Sequence, residues 1–325
     1  MGYRILLPQD IMPEGREYLE SRGHELIMGS GFQTEDIVKD IKGMDAMIAR
    51  VAKITREVFE AADKLKVIVR HGAGYDTIDL EAAKEFGVKV LYCPVANSVS
   101  VAEVTLFYML YLSRNYTVVR RDFIDDYFKA KLKTPKCELE GKTVGIVGCG
   151  NIGSLVAMKC LHGFNMKILA YDPYKPAEAF PEGVEVVRDL DRVFKESDFV
   201  SLHSIPRVKN GRIGMEQFSL MKPTAFFINT TRGSAVNETD LYEACKNGVI
   251  AGAGLDVMQK EPVDKENPLL YLDNVVISPH IGAATKEASS RASLHAAMGI
   301  HDFYEGRQPA YEVKVPDWDN MTVYT

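Results

Sequence analysis

The sequence predicts an α/β protein of two doubly wound parallel-sheet domains, and three observations carry that prediction. Short apolar runs alternate with amphipathic helical stretches through residues 1–92 and again from Gly141 onward, the pattern of a parallel sheet covered on both faces. The apolar run 143–147 leads directly into Gly148-x-Gly150-x-x-Gly153 and a helical pattern. The chain has 325 residues, 46% of them apolar, which is enough for two cores.

In chain order, the first half offers strands at 3–7, 24–28, 46–49, 67–69 and 88–92, with helices at 34–41, 55–62 and 80–86 among them. No phosphate-cradling glycine fingerprint follows its first strand, so nothing marks this half as the nucleotide domain. The pattern changes at Ser98. Ser100-Val-Ala-Glu103 fits a capping box, and the helix it would open is apolar on nearly every face, as expected of a buried spine between the two α/β units. The charges Arg120-Arg121-Asp122 and Asp125-Asp126 read as a solvated surface. The second half adds strands at 143–147, 167–171, 199–203, 225–229, 250–255 and 275–278 and a helix at 286–303. If that last helix returns the chain to the first domain, residues 1–98 and 296–325 form one discontinuous domain and residues 99–295 the other. Two crossings would then act together as the hinge of a closing cleft.

The glycine turn has a specific mechanical reading. Gly148 allows a tight turn, Gly150 lets backbone approach a pyrophosphate, and Gly153 lets the helix pack on the strand, with the helix N-terminus facing the phosphates. A second strand ends in Asp172, about twenty residues on, where a carboxylate accepts hydrogen bonds from the adenosine ribose. That acid would repel a 2′-phosphate, so NAD is expected rather than NADP.

Ligands of open parallel sheets bind past the carboxyl ends of the strands, so polar residues there are the remaining candidates. Arg232 follows 226–231 and suits bidentate capture of a carboxylate, although an arginine there could equally cap carbonyls. Asp256 sits at a strand end near the expected nicotinamide, and Glu261 lies in the loop beyond, where a glutamate is usually just solvated. His280 follows a strand and a proline; it is one of seven histidines, any one of which, picked blindly, is more often structural. His203 also follows a strand, and its neighbours suggest packing against a flat ring. In the first half, Arg70-His71-Gly72-Ala73-Gly74 ends a strand. Its glycines could offer backbone N–H groups to an anion, or form an ordinary turn.

Composition limits the partners. A net charge of −6 argues against nucleic acid or an anionic membrane. The five scattered cysteines read as reduced thiols of a cytoplasmic protein, with no disulfide frame and no metal site. Pro8 stops the N-terminal apolar run, so no signal peptide is expected. The longest apolar stretch, 104–112, is about half a membrane span.

Together these stretches resemble the D-isomer-specific 2-hydroxyacid dehydrogenase family over nearly the whole chain. The resemblance rests on Glu140-Gly-Lys-Thr-Val-Gly-Ile-Val-Gly-Cys-Gly-Asn-Ile-Gly153, Ile228-Asn-Thr-Thr-Arg-Gly233, Ala251-Gly-Ala-Gly-Leu-Asp-Val257 with Glu261-Pro262, and Ser278-Pro-His-Ile-Gly282. It implies two Rossmann-like/flavodoxin-like domains with a cleft between them, NAD as cofactor, and a homodimer. It assigns Arg232, Glu261 and His280 to the catalytic arginine, glutamate and histidine; a glutamate at 261 separates the chain from the similar formate dehydrogenases, which have glutamine. Asn151, Ile152, Thr230 and Gly282 join Gly148, Gly150, Gly153 and Asp172 in the implied cofactor site, with Asp256 on the nicotinamide carboxamide. Leu202-His-Ser-Ile-Pro206 departs from the family's Leu-His-x-Pro by placing the proline one residue later, and His203 and Pro206 are expected at the adenine pocket. His71, Gly72, Ala73 and Gly74 would hold the substrate carboxylate, and Arg50 resembles the arginine that phosphoglycerate dehydrogenases place at the substrate's far end.

The expected function is interconversion of a D-2-hydroxyacid and a 2-oxoacid by hydride transfer. His280 would be the proton donor or acceptor, Glu261 would hold its ring, and Arg232 would orient the carboxylate. The type implied is a short phosphoglycerate dehydrogenase without the regulatory domain and its feedback control. The alternatives are a hydroxypyruvate or glyoxylate reductase, a dehydrogenase for a larger 2-oxoacid, and an NADH-sensing corepressor.

Overall fold

The computed structural model describes residues 2–204 and 211–314. They form two compact units, Met1–Ser98 with the stretch from Ala283, and Val99–Gly282.

The first unit is a five-stranded parallel sheet in the order β2-β1-β3-β4-β5. Its strands are β1 (Arg4–Leu7), β2 (Glu25–Met28), β3 (Ala46–Ala49), β4 (Val67–Arg70) and β5 (Lys89–Leu91). Side chains alternate between faces along each strand, and both faces are covered. Leu6, Met47 and Ile68 pack with Ile37 of α2 (Thr34–Asp40) and Phe59 of α3 (Arg56–Ala61). Ile5, Leu7, Ile48 and Val69 pack on the other side with Leu19 of α1 (Pro13–Glu20) and with Ala292, Ala296, Ala297 and Ile300. Those four residues belong to α12 (Lys286–Tyr304), so the chain's distant end covers half of this sheet. The unit's return therefore starts at Ala283, earlier than the 295/296 boundary read from the sequence, because α12 packs against α1 and β4.

The second unit is a seven-stranded parallel sheet in the order β12-β11-β10-β9-β6-β7-β8. Its strands are β6 (Thr143–Val147), β7 (Lys167–Tyr171), β8 (Glu185–Val187), β9 (Phe199–Leu202), β10 (Phe226–Asn229), β11 (Gly252–Leu255) and β12 (Val275–Ile277). The order reverses between β6 and β9, the switch point at which such sheets bind ligands. One face packs with α5 (Ser98–Ser113) and α8 (Asn151–Phe164), the other with α9 (Leu190–Glu196) and α11 (Glu238–Lys246).

Three expectations change. The helix α5 begins at Ser98, so Ser100 lies inside it and its hydroxyl donates to the Gly282 carbonyl at 2.5 Å instead of capping. Only one side of α5 is buried, through Tyr108, Met109 and Leu112, whereas Val99, Phe107 and Leu110 are exposed within the chain. Asp122, expected in solvent, is 4% exposed. It pairs with Lys129 at 3.1 Å because α6 (Tyr116–Asp125) and α7 (Tyr127–Leu132) fold onto each other.

Candidate active site

The glycine turn after β6 is built as its composition requires. Gly148 has φ +91°, and a Cβ there would fall 2.4–2.8 Å from Ser204. A Cβ on Gly153 would lie 2.0 Å from the Gly148 carbonyl oxygen, so only hydrogen lets α8 sit this close to the turn. Among the described residues nothing lies within 4 Å of the corresponding position on Gly150, which leaves the backbone open to a ligand. No side chain caps the start of α8, where exposed Asn151 and half-buried Ile152 open the helix. Asp172, just past β7, accepts from the Cys149 N–H and the Tyr174 N–H, both at 3.1 Å, and so faces the turn. An open glycine turn, an uncapped helix start and a fixed acid fit a dinucleotide's pyrophosphate and ribose. Lys175, which the sequence did not single out, donates to the Cys149 carbonyl at 2.7 Å. The only signal for it was its position three residues after the acid.

His203 is tied to Ser201 Oγ at 2.9 Å through Nε2, while its buried Nδ1 has no hydrogen-bond partner among the described residues; burial pushes its pKa down to about 3 and keeps the ring neutral. Thr230 is buried and lies 3.4 Å from Thr105 Oγ1. Pro206 lies outside the described residues.

The proposed catalytic residues follow three neighbouring strands. After β10, the Asn229 side chain closes a turn: its oxygen accepts from the Thr231 N–H and hydroxyl at 3.0 and 2.8 Å, and its amide donates to the Arg232 carbonyl at 2.9 Å. Sequence reasoning missed this organising role of Asn229. A Cβ on the next residue, Gly233, would meet the Met258 backbone at 2.0 Å, so a glycine brings the arginine's turn against the segment that carries Glu261. Arg232 Nη1 donates to the Thr231 carbonyl at 2.8 Å.

After β11 and β12, Glu261 and His280 meet. Glu261 Oε2 lies 2.8 Å from His280 Nδ1, and Oε1 accepts from the Met258 N–H at 3.0 Å. The carboxylate thus fixes Nδ1 as the protonated nitrogen and leaves Nε2, across the ring, for exchange with another group. Both side chains are substantially exposed, at 46% and 40%. His280 itself has φ +54°, and its N–H donates to the Asp256 carbonyl at 2.8 Å. Asp256 is 2% exposed. Its carboxylate accepts from the Ile281 and Gly282 N–H groups at 2.8 and 2.7 Å, so it is first a strut under the histidine's loop.

The first unit has its own cluster at the carboxyl ends of β3 and β4. Arg50 Nη1 donates to the Asp10 carbonyl at 2.6 Å. Arg70, paired in register with Ala49, donates to the His71 carbonyl at 2.6 Å. Its guanidinium lies 3.0 Å from where Gly72, at φ +148°, would carry a Cβ. The half-buried loop through Ala73 and Gly74 is therefore backed by a cation that the sequence reading treated as a strand end. The His71 ring turns toward α12, 2.8 Å from Ser293 Oγ; burial, and next the charge of Arg50, hold its pKa down at about 4.

Comparison with known proteins places this geometry. Residues 106–282 match the family model described as D-isomer specific 2-hydroxyacid dehydrogenase, NAD binding domain. The chain is 41% identical to a D-3-phosphoglycerate dehydrogenase of Methanocaldococcus jannaschii, over 97% of this chain and 60% of that protein. It is 40% identical to a hydroxypyruvate reductase of Thermotoga maritima, over 92% of this chain and 97% of that one. The chain thus spans about three-fifths of the length of some phosphoglycerate dehydrogenases it matches. Among solved structures, the NAD+-bound 3-phosphoglycerate dehydrogenase of Entamoeba histolytica superposes with a TM-score of 0.81 at 29% identity, over 97% of this chain and 99% of that one.

Proposed function

Because the chain belongs to the D-isomer specific 2-hydroxyacid dehydrogenase family, we propose that it is an NAD-dependent oxidoreductase interconverting a D-2-hydroxyacid and a 2-oxoacid, with 3-phosphoglycerate as the hydroxyacid. The observation that carries the reading is the Glu261–His280 pair at 2.8 Å, one strand away from the Arg232 turn. Bound NADH supplies the hydride. His280 Nε2 gives a proton to the carbonyl oxygen in reduction and takes it back in oxidation. Glu261 keeps Nδ1–H oriented and supports the imidazolium. Arg232 orients the carboxylate and polarises the carbonyl, and the Gly72–Gly74 backbone receives the carboxylate.

Arg50 and Arg70 favour phosphoglycerate, since two guanidinium groups near one loop exceed what a lone carboxylate needs. The full-length match to a hydroxypyruvate reductase supports a smaller substrate as the second reading. A panel of 2-oxoacids, followed by loss of NADH absorbance, decides. A preference for 3-phosphohydroxypyruvate supports the first reading and a preference for hydroxypyruvate or glyoxylate the second. Tight NADH binding without turnover of any panel member overturns both in favour of an NADH sensor.

The exposed apolar side of α5–α7 supports a homodimer. Phe107, Phe123, Ile124, Phe128 and Leu132 are all more than two-fifths exposed, a patch that a second copy would cover. Sedimentation of Phe128→Glu together with Leu132→Glu as a monomer would support this, and an unchanged dimer would refute that surface. A cytoplasmic location is supported by the five free cysteines.

A further inference from the structure

His280 adopts a left-handed backbone conformation, which a non-glycine residue holds only when its surroundings over-determine it. The residues on either side are held from below. The Asp256 carboxylate accepts from the Ile281 and Gly282 N–H groups and also from the Ser278 hydroxyl at 2.6 Å. Ser278 Oγ in turn lies within hydrogen-bond distance of the Tyr108 hydroxyl, which is also 3.1 Å from the Leu255 carbonyl.

Counting protons fixes the direction of this chain. A carboxylate only accepts, so the single Ser278 proton goes to Asp256 Oδ1. A carbonyl also only accepts, so the Tyr108 proton is shared between Ser278 Oγ and Leu255 O. Tyr108 has no accessible surface, and its ring packs 2.7 Å from where Gly254 would carry a Cβ, so its hydroxyl has nowhere else to turn. Burial pushes its pKa above the usual phenol range, and the proton stays on.

We infer that Tyr108 and Ser278 are positioning residues for His280: a one-way series of hydrogen bonds from the buried helix α5 to Asp256 fixes the carboxylate that holds the histidine's loop. This rests on the assignment of His280 as the proton-transfer group. Misplacing that group by a fraction of an ångström lowers the rate of the chemical step without weakening cofactor binding.

The test uses Tyr108→Phe, Ser278→Ala, the double variant and Ser278→Thr. Each is examined for kcat, for NADH affinity by fluorescence titration, and for the His280 ring resonances of the cofactor-free protein. Ser278→Ala is expected to lower kcat about tenfold and Tyr108→Phe about threefold, with NADH affinity changed by less than about twofold. Ser278→Thr keeps the hydroxyl and is expected to stay within about twofold of the parent. In the Ser278→Ala background the tyrosine change should add little, because the path from Tyr108 to Asp256 runs through the Ser278 hydroxyl. The His280 resonances should shift or broaden in Ser278→Ala and Tyr108→Phe.

Three results would overturn the inference: an unchanged kcat with only a lower melting temperature, a fall in NADH affinity that matches the fall in kcat, or effects that multiply in the double variant. If Ser278→Ala fails to fold, Tyr108→Phe, which keeps the ring, decides alone. If the parent protein reduces no 2-oxoacid, the functional reading fails instead, and the ring resonances still test the relay.

Discussion

The two units share an architecture and differ in what they place on it. Both are parallel sheets with polar groups just past the carboxyl ends of the strands. In the second unit those ends carry an imidazole tied to a carboxylate at 2.8 Å, and at another strand of the same sheet a dinucleotide-type turn. In the first they carry arginines held by carbonyls, Arg50 on Asp10 and Arg70 on His71, behind a loop of glycines. In the proposed function one end moves a proton and the other holds an anion. The lesson is that the sheet decides where groups go, while the few residues of each turn decide what they do.

The largest test of this contrast is His280→Gln. It removes the only group assigned to proton transfer, and kcat should fall by about a hundredfold or more with NADH affinity preserved. Near-normal turnover would end the assignment of chemistry to the second unit.

Next is the acid stability of the first unit. His71 is held at about 4 against 6.5 for a free histidine. The unfolded chain therefore takes up a proton at 6.5 that the folded unit resists. Stability from the neutral ring is complete above pH 6.5 and is lost as pH falls toward 4, by about 3 kcal/mol. Protection factors in peptides of residues 2–98, each exchange rate being taken relative to the intrinsic amide rate at that pH, should fall across that window, and His71→Gln should flatten the response. If protection is independent of pH there, the ring is not held neutral.

Third, Arg232→Ala should raise KM for every 2-oxoacid by about thirtyfold, the loss of a charge-assisted pair. Arg50→Ala should raise it by about fivefold and only for a phosphorylated substrate. Equal effects of Arg50→Ala on glyoxylate and on the phosphorylated acid would blur the division between the units.

A further test within the second unit is Glu261→Gln. The amide oxygen can still accept from Nδ1–H, and only the charge is lost, so kcat should fall about tenfold. A loss as large as that of His280→Gln would mean the carboxylate does more than orient the ring.

Much of this was legible in the chain. The strands of a parallel sheet are buried on both faces and read as apolar runs; β3, β6 and β7 match their expected limits residue for residue. The strand β8 was missed because Glu185–Val187 is three residues at a sheet edge with no apolar run to mark it. The helices α6 and α7 were hidden by charges such as Asp122, whose burial depends on Lys129 of the next helix. Arg70 could have been suspected as a second cation at the end of a strand beside the one that precedes Arg50.

By itself the sequence determined which residues stand at the ends of strands, because periodicity and glycine placement are local properties of the chain. It also determined the dinucleotide turn, since each glycine there answers a local steric demand. Only the tertiary structure decided that Glu261 and His280 touch, that Asp256 turns inward to hold the 281–282 backbone, and that α12 completes the first sheet. Hydrogen bonds and close packing between residues far apart in the chain depend on angles and distances that no local pattern carries.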